Sequence, residues 1–292
     1  MLISSFFWAI GHPLGRIILE KIHPFQLGSI TLSTGFISLL IFLAISGRLK
    51  KIKKIPPRDI GIALGIGVFG FFFYQMLTFN ALSRIPASMN AVLVSTNVVF
   101  IAILAAIFLK EKITPLRYVG IAIAFGGTVL VTFNQGFSLG GNIDLIGCLF
   151  SIIAALSFAT YSILGKRVVT SNDPLLITGL ALFSGAVFLV SLTAITVGFS
   201  EVLVMTWPIF GLAAFLGVTM IGVAYPIWFI CLSKLNASHI SVYTYLTPVF
   251  AVILSLFILR ESFSWIFWVG GALILGGIFI TNRFASRSTS GK

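Results

Sequence analysis

Charge is what this sequence has least of: 9% of its 292 residues are charged, seven are acidic, and histidine occurs three times. With 58% hydrophobic residues and a mean hydropathy of +1.12, the chain lacks the polar surface that a water-soluble globule needs. Cysteine is equally scarce. Cys148 and Cys231 lie inside apolar runs at no metal-ligand spacing, which excludes a disulfide framework or zinc site and leaves them as packing residues. The acids Glu20, Asp59, Glu111, Asp144, Asp173, Glu201 and Glu261 all fall at or beyond the ends of apolar runs, so no carboxylate is placed at mid-membrane to carry a proton or sodium ion. Paired interior carboxylates, H-E-x-x-H and G-x-S-x-G are all missing. That weighs against a membrane-embedded enzyme, and neither a cofactor nor a metal is expected.

What is abundant is apolar length. Ten runs, at 2–20, 26–46, 60–80, 86–109, 116–133, 143–165, 175–197, 208–230, 237–259 and 265–282, each approach the roughly 17–25 residues that span a bilayer. They are continuously apolar, without the in-out alternation of a membrane barrel strand. The expected fold is an all-α integral membrane protein with ten transmembrane helices. Met1 leads almost directly into the first run with no basic n-region, which reads as a retained helix rather than a signal peptide. The net charge of +12 sorts by side: fifteen of the nineteen Lys and Arg fall in every second connection or the C-terminal tail, leaving Arg16, Lys21, Arg84 and Arg260 opposite. By the positive-inside rule both termini are cytoplasmic. The run RLKKIKKIPPR then faces anionic lipid headgroups and no nucleic acid.

Shifting the sequence by 150 residues matches it to itself without a gap. NALSRIPAS (80–88) falls over ICLSKLNAS (230–238), FLKEK (108–112) over ILRES (258–262), and YVGIAIAFGG (118–127) over WVGGALILGG (268–277). The expected organisation is a first five-helix unit over 1–142, a second over 143–283 and a disordered cytoplasmic tail over 284–292. An odd number of spans inserts the second unit upside down. Inverted-topology repeats are a signature of secondary transporters that bind substrate between the two copies.

The pattern Tyr74, Asn80-Ala81-Leu82, Ala87-Ser88, Glu111, Val119-Gly120 and Gly126-Gly127, with its second version Tyr225, Trp228, Leu232, Ala237-Ser238, Pro248, Glu261, Val269-Gly270 and Gly276-Gly277, resembles the ten-helix EamA-type branch of the drug/metabolite transporter superfamily. The resemblance covers residues 1–283. It implies a bacterial inner-membrane, multi-pass exporter or exchanger of amino acids or other small metabolites, with a central cavity lined mainly by helices 1, 3, 4, 6, 8 and 9. Its partners would be a small-molecule substrate and membrane lipid, with a homodimer as a further option. A flippase for a lipid-linked substrate is the alternative on the same scaffold.

Histidine supplies the first candidate within the spans. His12 lies near the middle of the first run, and Trp8, His12, Arg16 and Glu20 form one helical row, with Phe158, Ser162, Lys166 and Thr170 as its shifted equivalents. Two readings stand: His12 faces the cavity, or it bonds a neighbouring helix while Arg16 and Glu20 pair at the outer interface. Arg16 is placed at the outer mouth. Pro13 is expected to bend the first helix. Further candidate substrate contacts are Tyr74, Gln75 and Thr78 with Tyr225 and Trp228; Asn90 and Asn97 with Tyr243, Thr244 and Thr247; and Tyr161 on the sixth run. Such a lining is aromatic and neutral, suited to a zwitterion with an apolar part. Gly61, Gly65, Gly120, Gly126-Gly127, Gly270-Gly271 and Gly276-Gly277 read as packing seams.

Overall fold

A computed structural model describes residues 1–111, 114–133, 144–259 and 265–283. Expectations for Lys112, Arg260, Glu261, the boundary at 142–143 and the tail 284–292 lie outside those residues. Every regular element among the described residues is helical, with no strand among them. Helix α1 is Leu2–Leu19, α2 Pro24–Ile45, α3 Pro57–Arg84 and α4 Ala87–Ser95 continued by Asn97–Phe108. Helix α5 is Pro115–Phe133, α6 Leu145–Val169, α7 Pro174–Thr196 and α8 Trp207–Lys234. Helix α9 starts as Ala237–Ser241, tightens to a 3-10 turn at Val242–Tyr245 and continues as Leu246–Leu259, and α10 is Trp265–Arg283. Seven of these, α1 to α4 and α6 to α8, are long and apolar enough to cross a membrane, and α10 carries a shorter apolar run, Trp268–Thr281.

Local sequence explains where the helices start and stop. Pro24, Pro57 and Pro174 occupy first-turn positions, where their missing N–H costs nothing. Asp144 and Asp173 accept N–H bonds from Gly147 and Leu175, and His23 with Gln26 closes a capping box on α2. Extended Ile85 and Leu235 end α3 and α8. Pro13 sits inside an α1 that stays helical from end to end. Helices α3 and α8 are each interrupted by a π-helical segment, Gly67–Phe72 and Gly217–Ala224, a feature that hydropathy does not reveal.

Those π segments are where backbones approach most closely. A Cβ on Gly67 would fall 2.1 Å from the Ala181 carbonyl oxygen of α7, and one on Gly217 would fall 2.6 Å from the Thr31 carbonyl oxygen of α2. The partner glycines answer: a Cβ on Gly185 would meet the Gly67 carbonyl oxygen at 3.0 Å, and one on Gly35 the Gly217 carbonyl oxygen at 2.7 Å. Helices α5 and α10 cross in the same way, at Gly120 against the Gly277 carbonyl oxygen and Gly127 against that of Gly270. Small residues let helices pack where lipid gives no hydrophobic drive. Gly61, Gly65, Gly126, Gly271 and Gly276, expected as seams, have no described atom within 4 Å of a Cβ position, because they sit on helix sides that no described neighbour covers.

Polar contacts gather at two ends. At one, the His23 N–H donates to Glu201 at 2.9 Å and Arg84 pairs with Asp144 at 3.0 Å. At the other, Arg48 pairs with Asp173 at 2.7 Å, Asn172 donates to Asp59 at 2.8 Å, and Glu111 accepts from the N–H groups of Ala237 and Ser238 and from the Ser238 hydroxyl, the last at 2.6 Å.

Candidate functional site

A narrow cavity with about 40 Å³ of free space opens among α1, α3, α4, α6, α8 and α9. Its floor is an aromatic pair, Trp8 of α1 and Phe158 of α6, with ring centroids 5.7 Å apart and edge to face. Trp8 is fixed because its indole N–H donates to the Met220 carbonyl at 3.2 Å, inside the π segment of α8. On α3, the adjacent Tyr74 and Gln75 and, one turn on, Thr78 line the cavity, and Gln75 is anchored by donating to the Thr31 hydroxyl at 3.2 Å. Asn97 of α4 faces Thr244 and Thr247 of α9, with the Thr244 hydroxyl donating to Asn97 at 3.2 Å.

His12 borders this space at 8% exposure, and its imidazole makes no hydrogen bond to any described residue. The Thr247 hydroxyl, in the same lining, has none either. Buried polar groups are nearly always partnered, so a group left open on a cavity is available to a ligand. No lining residue is charged.

Of the residues expected from sequence, Trp8, His12, Tyr74, Gln75, Thr78, Asn97, Thr244 and Thr247 therefore share one cavity. Asn90 does not line it: fully buried, it bonds the Thr78 carbonyl at 3.3 Å and accepts from the Ser151 hydroxyl at 3.1 Å, tying α4 to α3 and α6. Tyr243 also stands outside the lining, its carbonyl accepting from the Ser5 hydroxyl at 2.9 Å. Tyr161, Tyr225 and Trp228 lie on the other side of the floor, almost wholly buried. There Phe71 contacts Tyr225 at 4.7 Å and Tyr161 at 5.2 Å, while Trp228 contacts Phe158 at 5.2 Å. Arg16 lies one turn beyond His12 and donates to the Leu82 carbonyl at 2.7 Å, next to the lining residue Leu82 itself.

Sequence reasoning missed the apolar half of the lining. Phe79, Leu82, Ala91 and Val94 look like any lipid-facing residue, and Gly11, Ser95, Phe158 and Met220 carry no chemical flag. Comparison with the shifted sequence holds a usable signal. Gly11, Thr78 and Ser95 are small where Tyr161, Trp228 and Tyr245 are large.

The EamA-like transporter family model matches residues 1–133 and 145–283. The chain belongs to this family. It is therefore a multi-pass membrane transporter of the drug/metabolite transporter superfamily, not an enzyme. Relatives of the transporter include an uncharacterized transporter of Archaeoglobus fulgidus, 22% identical over 96% of this chain and 94% of its own length. The uncharacterized transporter YetK of Bacillus subtilis is 26% identical over 92% of this chain and 81% of its own. A chloroplastic WAT1-related protein of Arabidopsis thaliana is 26% identical over 97% of this chain and 68% of its own. A solved crystal structure shares the fold with a TM-score of 0.79 at 20% identity, covering 98% of this chain and 96% of that one.

The Glu111 end of the transporter carries further side-chain bonds to backbone carbonyls. Below the aromatic cluster, the Lys166 ammonium donates to the Leu232 carbonyl at 2.6 Å and to the Leu235 carbonyl at 2.5 Å, and Arg167 donates to the Phe108 carbonyl at 2.8 Å. On the Arg16 side, Leu82 and Ala91 belong to the cavity lining, and Arg16 bonds the Leu82 carbonyl.

Proposed function

We propose that this transporter moves small neutral or zwitterionic metabolites, amino acids foremost, across the bacterial inner membrane by alternating access, in export or exchange. The observation that carries the reading is the cavity lining: among the described residues it has aromatic and apolar walls, amides, hydroxyls, an imidazole with no hydrogen-bond partner, and no charge. A multiply charged solute would lose its hydration there with no counter-charge to replace it, whereas an ammonium can rest on aromatic faces and a carboxylate can accept from the His12 and Thr247 donors. Met220, a flexible side chain on the wall, can yield to admit a solute larger than the present space.

The architecture in this proposal is ten spans arranged as two oppositely oriented five-helix units, 1–142 and 143–283, with both termini in the cytoplasm. It is supported by contacts that recur 150 residues apart at opposite ends of the molecule. Arg16 bonds the Leu82 carbonyl at one end, and Lys166 bonds the Leu232 carbonyl at the other. The excess of basic residues supports a cytoplasmic location for the Lys166 end, and on this reading the cavity, on the Arg16 side of the Trp8–Phe158 floor, is the one that serves the outside.

The test is counterflow in proteoliposomes against a panel of radiolabelled amino acids, with a lipid-linked sugar as the competing cargo. Uptake of one or more neutral amino acids is expected. Movement of the lipid-linked sugar with no amino-acid uptake would overturn the proposal in favour of a flippase.

A further inference from the structure

Beneath the Trp8–Phe158 floor the structure leaves hydrogen-bonding atoms with nothing to bond. The Trp228 indole nitrogen and the Ser162 hydroxyl are fully buried with no hydrogen-bond partner among the described residues, and so is the Tyr245 hydroxyl in the neighbouring cluster of α4, α5, α9 and α10. Each such group is destabilising when left dry. Packing alone would be served as well by Phe at 228 and 245 and by Ala at 162. Their positions are informative: subtracting 150 gives Thr78, His12 and Ser95, and all three of those line the open cavity.

From this we infer a second, latent substrate pocket on the cytoplasmic side of the floor, built around Trp228 and Ser162 with Tyr245 on its α9 wall. When the two units exchange conformations, the surroundings of Thr78, His12 and Ser95 become the surroundings of Trp228, Ser162 and Tyr245. The orphaned groups then meet solute. In the present state the space is filled by rings: Trp228 packs on Trp8 at 6.0 Å and on Phe158 at 5.2 Å, while Tyr245 packs in the neighbouring cluster with Val98 and Ile274.

The pocket's chemistry differs from that of the open one. It offers an indole N–H and two hydroxyls where the open cavity offers an imidazole and a threonine and a serine hydroxyl, and it is walled by Tyr161 and Tyr225. Its ligand is a small solute with an acceptor group, a carboxylate or carbonyl, and a flat or apolar remainder that stacks on rings. The inference rests on the alternating-access reading above and adds which atoms hold the solute in the other half of the cycle.

Trp228→Phe and Ser162→Ala test it, since each removes an orphaned group and keeps the packing. Radiolabelled neutral amino acids are presented to right-side-out and inside-out vesicles. Each variant is expected to raise the half-saturation concentration at the cytoplasmic face by about fivefold, the loss of one hydrogen bond, and to change it less than twofold at the external face. Equal changes at both faces, or none at either, overturn the inference. Where Trp228→Phe fails to fold, Ser162→Ala carries the test. A second measurement does not depend on knowing the solute. Ser162→Cys is expected to react with a membrane-impermeant maleimide from the cytoplasmic face of native membranes and not from the external face. No labelling from the cytoplasmic face overturns the latent pocket. If the wild type transports no amino acid while this labelling occurs, the assigned cargo fails and the pocket stands.

Discussion

The two sides of the Trp8–Phe158 floor are built from corresponding stretches of chain and look nothing alike. On one side Gly11, Thr78 and Ser95 leave a cavity; on the other, Tyr161 and Trp228, 150 residues beyond Gly11 and Thr78, fill the space, while Tyr245, the counterpart of Ser95, packs in the neighbouring cluster. Elsewhere the correspondence is close. Gly67 against Ala181 repeats as Gly217 against Thr31, and Gly185 against Gly67 repeats as Gly35 against Gly217. Helix crossings need small residues in both copies, because backbones must touch in both. The middle of the molecule carries no such demand, so the two halves differ there in volume and in donor chemistry.

The helix crossings common to both halves should be the most sensitive to substitution. Gly67→Ala pushes a methyl group into the Ala181 carbonyl of α7, where neither backbone can yield, and should cost about 3 kcal/mol or more. A thermal melt in detergent reads this as a large fall in midpoint or as no folded protein. Gly61→Ala, whose Cβ meets nothing, should stay within about 0.5 kcal/mol of the wild type. Equal effects of the two would mean that the crossings are not what holds the helices.

The differing part should respond in function. His12→Ala removes an imidazole that no described protein group bonds, so counterflow should fall at least about tenfold with an unchanged melting midpoint. Unaltered counterflow would reduce His12 to a packing residue. Trp8→Phe makes the two floor residues alike and removes the bond to the Met220 carbonyl. About 1 kcal/mol of stability should go with it, visible as a lower midpoint.

The smallest effects belong to the ends. Exchanging Arg16→Lys and Lys166→Arg together keeps a cation on each helix-end carbonyl, Leu82 and Leu232, and should leave stability within about 0.5 kcal/mol. Asp144, outside the spans, is held below the usual carboxylate range first by the Gly147 N–H and then by Arg84. Its folded pKa is depressed, so its contribution is complete above about pH 4 and is lost as pH falls through the folded value. The Asp144→Asn variant should therefore show a slightly flatter acid-side decline in melting midpoint than the wild type.

Much of the fold was legible because lipid imposes length. The first two apolar runs, read as 2–20 and 26–46, are the helices Leu2–Leu19 and Pro24–Ile45. What hydropathy could not show was backbone irregularity: the π segments at Gly67–Phe72 and Gly217–Ala224 and the 3-10 turn at Val242–Tyr245 are as apolar as their flanks. The cavity was half legible for a related reason. A polar residue within a span has few places to go, so Gln75, Thr78 and Asn97 announced themselves. Leu82 and Val94 on a cavity wall and Leu149 facing outward are chemically the same to a sequence reader. Tyr161, Tyr225 and Trp228 share faces with candidate polar residues, yet sequence does not say on which side of the floor a face lies.

One substitution tests the account at its centre by writing the closed half into the open one. Thr78→Trp places in the cavity the residue found 150 positions later, in a wall where Thr78 borders free space. Binding of the neutral amino acid that gives the strongest counterflow is measured on the folded fraction that elutes as the wild type does. Binding at the external face is expected to be lost while the protein still folds; wild-type affinity in that folded fraction would mean that the cavity does not hold the solute.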